Sequence, residues 1–302
     1  MAMTRSQFKK QLQLGLNTVA GLEYRPERDP WRQYLAIENE NKRAYIEDVV
    51  MSGVAAASVK AEGAAGGYVT ASEIYTAKYL FETIVIQFAI TEEAEEDGLY
   101  GSLVNKLAKA SMRSMQYTKR VKCANLLNNG FSSSYLGGDG VALFSTAHLG
   151  EGNVTNTLAT AADLSETSLE DALVIVNNFQ DYKGIPISVE AQKLVVPTAL
   201  QFTGHRILHS SGRVETPNND ENAIRAMGLV SGGMVVDKQL TDTDAWFLTT
   251  DCPDGLKHVS RKALKKGVEG DFETGNLRMK FRERYANGWT MWQGAFGTAG
   301  GG

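Results

Sequence analysis

The sequence predicts an α+β fold in which one long helix is flanked by antiparallel sheet. Three stretches predict it. Residues 100–129 carry an uninterrupted helical pattern, residues 46–92 hold two β-rich limbs around a Gly/Ala tip, and residues 277–285 alternate apolar and basic side chains with period two.

The bulk numbers bound the function. A chain of 302 residues makes one large domain or two ordinary ones. Its 43% hydrophobic and 22% charged residues are those of a folded globular protein. A net charge of -4 gives no basic excess of the kind that marks nucleic-acid binders. Two distant cysteines, Cys123 and Cys252, make neither a disulfide framework nor a zinc spacing. The first ten residues carry charge with no apolar stretch behind them, so no signal peptide is expected, and no apolar run approaches the length of a membrane span.

Residues 1–45 read as an arm. Phe8, Leu12 and Leu16 form a short amphipathic helix, and two prolines follow in GLEYRPERDPWRQY. Trp31, Tyr34, Leu35 and Ile37 have little local partner and must dock on the body or on a neighbour. From 46 to 92, limbs rich in Val, Ile, Tyr and Thr flank Ala61-Glu62-Gly63-Ala64-Ala65-Gly66-Gly67, which predicts a long β-hairpin. A long hairpin is marginal alone, so another subunit is its natural support.

Glu92, Glu93, Glu95 and Glu96 suit the start of the helix that follows. In that helix Leu103, Leu107, Ala110, Ser114, Tyr117, Val121 and Ala124 recur at spacings of four and three, predicting one apolar face. Asn128, Asn129 and Gly130 stop it after roughly 45 Å. So long a helix with so narrow a stripe reads as a spine.

Residues 131–164 read as loop with one strand at 141–145. Thr167-Ser168-Leu169-Glu170 predicts a capping box opening a helix to about Tyr182, ended by Gly184. A buried strand at 193–196, a helix from Pro197 to about His209, and strands at 234–237 and 245–249 make a compact α/β lobe. Near the end, Leu277, Met279, Phe281 and Tyr285 alternate with Arg278, Lys280, Arg282 and Arg284. Gly288 is expected to turn the chain, and Trp289, Met291, Trp292 and Phe296 to begin a second strand along the spine.

These stretches carry a resemblance. IEDVVMSG (46–53), GGDGVALFSTAH (137–148), LVVP (194–197) followed by LQFTGHRIL, TDTDAWFLTTD (241–251) and GDFETGNLRMKFRERYANGW (270–289) resemble the major capsid proteins of tailed bacteriophages with the Hong Kong ninety-seven fold. Each motif alone is weak; their order and spacing carry the likeness, from about Tyr45 to Gly297.

The resemblance implies an N-terminal arm at 1–45, an extended hairpin or E-loop at 46–92, a peripheral domain with the spine helix at 93–135, an axial domain at 136–269, and C-terminal strands of the peripheral domain at 270–302. Arm and E-loop would lie on neighbouring subunits. The implied function is a shell subunit that assembles into hexamers and pentamers of an icosahedral head around double-stranded DNA, without sequence-specific binding. Its partners would be copies of itself, with portal, scaffold and decoration proteins, and no membrane. The expected place is the virion capsid, assembled in the host cytoplasm. The arm begins almost at once, which implies a separate scaffold protein or none. The alternative is an encapsulin-like nanocompartment shell of the same fold.

No enzyme, cofactor or metal is expected. His205 and His209 are four apart on a predicted helix, yet no Glu lies between them. Ser145 and His148 have no glycine elbow. The expected subunit-interface residues are Trp31, Lys60, Glu62, Glu92, Glu95, Arg278, Lys280, Arg282 and Arg284. Lys60 and Glu62 near the hairpin tip match the types that some family members use for an isopeptide cross-link, although an ion-paired or solvated lysine is the plainer reading. The basic row is either a solvated face or a set of ion pairs to acids of an adjacent subunit, such as those at 92–97. Contact with packaged DNA is disfavoured, since a shell that gripped its genome would hinder release.

Overall fold

The computed structural model describes residues 29–40, 42–57, 59–63, 65–91, 101–152, 154–212, 221–271 and 275–301 of the chain. A 3-10 turn at Pro30–Gln33 leads to β1 (Ala36–Asn39), β2 (Tyr45–Met51), β3 (Glu73–Leu80) and β4 (Glu82–Ile90), then to the long helix α1 (Gly101–Asn128). After a loop-rich stretch come α2 (Glu166–Asn177), β5 (Ala191–Val196), α3 (Gln201–His209), α4 (Ala223–Met227), β6 (Met234–Val236) and β7 (Trp246–Thr250). The chain ends with β8 (Leu256–Gly270), β9 (Leu277–Trp289) and β10 (Ala295–Thr298). The strands form sheets of order β1-β8-β9-β4 and β10-β7-β5-β6, with β2-β3 as a separate ribbon. This mixed helix and sheet architecture is the predicted α+β class.

Helix α1 lies along one face of the β1-β8-β9-β4 sheet. Ala108, Met112 and Met115 pack on Ile90, Leu277, Met279 and Phe281. Further along, Cys123 and Leu127 join Trp31, Tyr34, Leu35, Leu143, Phe144 and Phe247. The buried stripe is therefore 108-112-115-119-123-127, not the predicted one: Leu107 is 47% and Tyr117 60% exposed. Both stripes have helical spacing, and the true one was hidden because a charged residue occupies its centre. Lys119 points inward and meets Glu283 at 2.5 Å, with side-chain exposures of 12% and 1%. A lysine on the buried face is tolerated because β9 supplies its counter-charge.

The alternation of β9 is as predicted. Leu277, Met279, Phe281 and Tyr285 are buried, and Arg278, Lys280 and Arg282 face outward. Gly288 does not turn the chain; β9 continues through it to Trp289. A Cβ there would lie 2.1 Å from the Tyr79 ring, so glycine is present to let the ring pack on the strand. Phe296 belongs to β10, which pairs with β7 in the lobe sheet and not along the spine.

The expected divisions of the chain shift accordingly. β4, expected within the hairpin, pairs with β9 from Glu82↔Tyr285 to Ile90↔Leu277. β8, in the stretch expected to be axial, pairs with β9 as well. Residues 29–39 of the expected arm are stitched to the chain's own body. The buried carboxylate of Asp29 accepts hydrogen bonds from Gln116 (2.8 Å) and Arg120 (2.6 Å), and β1 runs parallel to β8. The predicted helix at Phe8, Leu12 and Leu16 lies outside the described residues.

In the lobe, α2 and α3 cover the β10-β7-β5-β6 sheet through Leu169, Leu173, Val176, Leu194, Ile207, Trp246 and Leu248. The cap of α2 is Ser165 with Ser168, not Thr167 with Glu170, and the helix ends at Asn177, well before Gly184. The predicted strand at 141–145 is not formed. Leu143 and Phe144 are buried there within a loop, because the amide of Asn156 donates to the carbonyls of Leu143 (2.7 Å), Trp292 (3.2 Å) and Ala295 (3.0 Å). A fully buried side-chain amide thus replaces a ladder partner. Among the described residues no helix is long and apolar enough to cross a membrane.

Removing one partner of the Lys119–Glu283 pair strands a charge in the core. Lys119→Met is expected to lower the stability of dissociated subunits by about 3–5 kcal/mol in urea unfolding. Lys119→Met combined with Glu283→Leu should recover most of that loss.

Candidate subunit interface

The β2–β3 ribbon is paired from Tyr45↔Leu80 to Met51↔Glu73, and Ser52 and Ser72 close it with a backbone bond of 2.8 Å. The described residues beyond that point have no strand and little cover: Val59 and Tyr68 are fully exposed. Lys60 and Glu62 sit on this tip, both exposed. Among the described residues nothing in the chain's own body packs on it, which makes it a surface in need of a partner.

The root of the ribbon is held firmly. Its inner face buries Val50, Tyr75, Ala77 and Tyr79 against Tyr182 and Ala286. Its outer face leaves Tyr45, Val49, Met51 and Leu80 40–68% exposed. Lys257, on β8, is buried and lies 2.6 Å from Asp48 on β2, 2.7 Å from Asp254 and 3.6 Å from Glu38 on β1. Burial alone would push its pKa down, but its hydrogen bonds to Asp254 and Asp48, and the nearby charges of Asp48 and Glu38, outweigh that and raise it. Thr290 donates to the same Asp48 carboxylate at 2.9 Å and meets the Tyr79 hydroxyl. The Tyr75 hydroxyl donates to the Thr290 carbonyl at 2.8 Å and lies 2.7 Å from that of Tyr182. Sequence reasoning missed this root because Lys257 and Asp48 are 209 residues apart and neither carries a local pattern.

The predicted interface residues fall in different places. Trp31 is not on an outer face: at 1% exposure it is packed in the chain's own core, 4.5 Å from the His258 ring. An indole this large, next to two prolines, found its apolar partner in Cys123 and the sheet beside it. Glu92 and Glu95 lie outside the described residues. Arg278 pairs with Asp271, while Lys280 and Arg282 stand exposed and Arg284 half-buried on the outer sheet face.

Two clusters look like catalytic groups and are built otherwise. Cys123 Sγ is 3.7 Å from His258 Nδ1, which is 2.6 Å from Asn287 Oδ1. Burial raises the thiol far above its ordinary range and lowers His258 to about 4, so neither a thiolate nor an imidazolium forms near neutrality. Ser145 and His148 form no dyad. His148 uses Nδ1 on Asp139 (2.7 Å) and Nε2 on Asn156 (3.1 Å), and stacks on Trp292 at 4.8 Å. The Ser145 hydroxyl instead accepts from the Ala147 amide at 3.1 Å. His205 and His209 are exposed with ring centroids 4.5 Å apart, and among the described residues no third ligand joins them.

The comparisons with known proteins agree in kind. A family model described as phage capsid protein matches residues 73–297. The fold is similar to a structure from Mycobacterium phage Patience, with a TM-score of 0.57, 10% identity, and coverage of 98% of this chain and 87% of that one. It is similar to a virus-like particle from Pyrococcus furiosus, with a TM-score of 0.55, 10% identity, and coverage of 96% and 99%. It is also similar to the capsid of Myoviridae phage XM1, with a TM-score of 0.50, 14% identity, and coverage of 89% and 90%. At these identities the likeness is one of fold. No curated protein matches the chain.

Two outcomes follow from the root and the buried imidazole. Lys257→Met leaves Asp48 and Asp254 without their cation, so amide exchange of residues 45–51 and 73–80 should speed up at least tenfold while that of β5 and β7 stays unchanged. His258 has a folded-state pKa near 4, below its ordinary 6.5. Between those values the unfolded chain takes up a proton that the folded chain refuses, so stability present above pH 6.5 is lost as pH falls towards 4. His258→Gln should flatten the stability profile of dissociated subunits across that window by up to about 3 kcal/mol.

Proposed function

The chain belongs to the phage capsid protein family, and we propose that it is the major capsid subunit of a tailed bacteriophage, a protein whose work is to bind copies of itself. The observation that carries this reading is the hairpin tip. A ribbon held rigidly at its root by Lys257, Asp48 and Thr290 projects a tip with fully exposed Val59 and Tyr68. A rigid limb with an uncovered end is suited to lie on an adjacent subunit. The exposed Leu107 and Tyr117 of the spine helix, and the open face of the ribbon, offer further apolar surface for such contacts.

In this reading the lobe built on β5, β6, β7 and β10 gathers subunits into hexamers and pentamers, and the hairpin ties them together. Many modest contacts made at once give a stable closed shell. The head would enclose double-stranded DNA without sequence-specific contact, would assemble in the host cytoplasm, and would work with portal, scaffold and decoration proteins. The family is a structural one, and the inert Cys123 and the fully engaged His148 support a role without catalysis. The exposure of Lys60 and Glu62 at the tip supports their reading as groups open to an ion pair with a neighbour.

A second reading draws on the likeness to the virus-like particle: a nanocompartment shell of the same fold enclosing protein cargo. Nucleic acid in particles isolated from the native source supports the first reading, and a protein cargo the second.

Deletion of residues 55–68 removes the tip and leaves the paired ribbon. The variant is expected to be soluble and folded by circular dichroism, and to show no closed particles in negative-stain images where the full chain forms them. Normal particles from the deletion would remove the hairpin's role, and a full chain that stays monomeric at high concentration would overturn the shell reading.

A further inference from the structure

The outer face of the β8-β9-β4 sheet carries more positive charge than the chain balances locally. Cross-strand register sets Arg284 opposite Lys262 and Arg282 opposite Lys265. Directly opposed side chains are about 5 Å apart at Cβ, and like charges so placed destabilise a sheet. The other neighbours on this face are neutral: Thr83 faces Arg284, Val85 faces Arg282 and Gln87 faces Lys280. Acids compensate only one end, where Arg278 lies opposite Glu269 and pairs with Asp271. Among the described residues Lys262, Lys265, Lys280, Arg282 and Arg284 have no acidic partner. The Nε of Arg284 is buried without a hydrogen-bond partner among them. Loss of solvent, with the guanidiniums of Arg261 and Arg282 nearby, lowers the Arg284 pKa.

We propose that this face receives the acidic segment 92–97 of an adjacent copy, Glu92, Glu93, Glu95, Glu96 and Asp97, as an electrostatic lock between subunits; the inference rests on the shell reading above. Charge complementarity names the partner: the chain is acidic as a whole, at -4, and 92–97 is its densest acidic run. The chain's own segment cannot serve the far end of the face. It leaves β4 at Ile90, opposite Leu277, and must enter α1 at Gly101, whose first turns run beside that same end of the sheet. Arg284 lies opposite Thr83, about 23 Å back along β4 at roughly 3.3 Å per residue. A backbone round trip of about 46 Å exceeds the ~35 Å that the ten intervening residues can span. The 92–97 segment of another copy, free of that tether, is better placed to bring its acids to Arg284 and Lys262. Such contacts fix register and speed encounter more than they add affinity, so they suit the alignment of identical subunits.

The test is charge reversal and its rescue. Arg282→Glu with Arg284→Glu should give at least tenfold fewer closed particles than the wild type at 50 mM salt. Adding Glu92→Lys, Glu93→Lys, Glu95→Lys and Glu96→Lys to that chain should restore them. The milder Arg282→Gln with Arg284→Gln should give an intermediate yield, and circular dichroism of each variant checks folding. Wild-type yield from the reversed chain, or failure of the swap to rescue a folded reversed chain, overturns the lock while leaving the shell reading intact. Failure of the wild type to assemble removes the shell reading itself. A duplex DNA fragment bound by dissociated wild-type subunits, lost on reversal while assembly persists, would assign the face to nucleic acid and also overturn the lock.

Discussion

Lys257 draws Glu38, Asp48 and Asp254 onto one ammonium, and with them it gathers β1, the root of the hairpin and the turn before β8. The rest of the molecule depends on this gathering. Among the described residues the hairpin's tip makes no contact that would set its direction, so its angle is decided at the root. A buried lysine with carboxylates around it is a stiff joint, because stripping the ammonium of its counter-charges would leave it uncompensated inside the protein. Tyr75 and Tyr79 extend the joint by hydroxyl contacts to Thr290, and Tyr182 joins it through Tyr75, so the ribbon is fixed to the end of β9 as well as to β8. If the limb lies on a neighbour as proposed, it has to leave its own body at a fixed angle, and polar geometry gives a direction that apolar packing alone does not.

The spine helix shows the same division between packing and register. Met112 and Met115 supply an adaptable apolar contact with β9, whereas Lys119 and Glu283 fix one helical rotation against the strand. Rotating α1 by one residue would pull Lys119 away from Glu283 and bury nothing better. The Lys119–Glu283 pair, with Asp29 held by Gln116 and Arg120, therefore sets which face of a ~42 Å helix is turned outward, and so leaves Leu107 and Tyr117 exposed.

The parts of the fold legible in the sequence were those written in local periodicity. The ends of α1, the C-terminus of α3, the alternation on β9, and the strands at β5, β6 and β7 are all set by residues within a few positions of one another. β8 was not seen, because bulges between Ser260 and Lys265 interrupt its period and five of its residues are lysine or arginine. The inward face of α1 was misread by a step, because pattern reading avoids a lysine whose partner is 164 residues away in the sequence. Asn156 and Lys257 gave no signal for a similar reason: Asn156 donates to Trp292 and Ala295, and Lys257 meets Asp48, all more than 130 residues away in the sequence. The basic row of β9 was legible as a face, but its like-charged partners on β8 were not, since register is a property of two strands together.

Cys123, His258 and Asn287 hold the elements of a thiol site, yet Cys123 and His258 are buried between α1, the Trp31 turn and the sheet, so their hydrogen bonds join elements rather than activate a sulfur. His148 and Asp139 likewise tie the 131–164 loop to Trp292. The chain spends its polar groups inside on orientation and keeps its unpartnered groups outside: an apolar tip, the open ribbon face and a cationic sheet face. For a subunit of the proposed shell, an interior that fixes angles has a clear use: the accuracy of each subunit's shape decides whether many copies can close on one another.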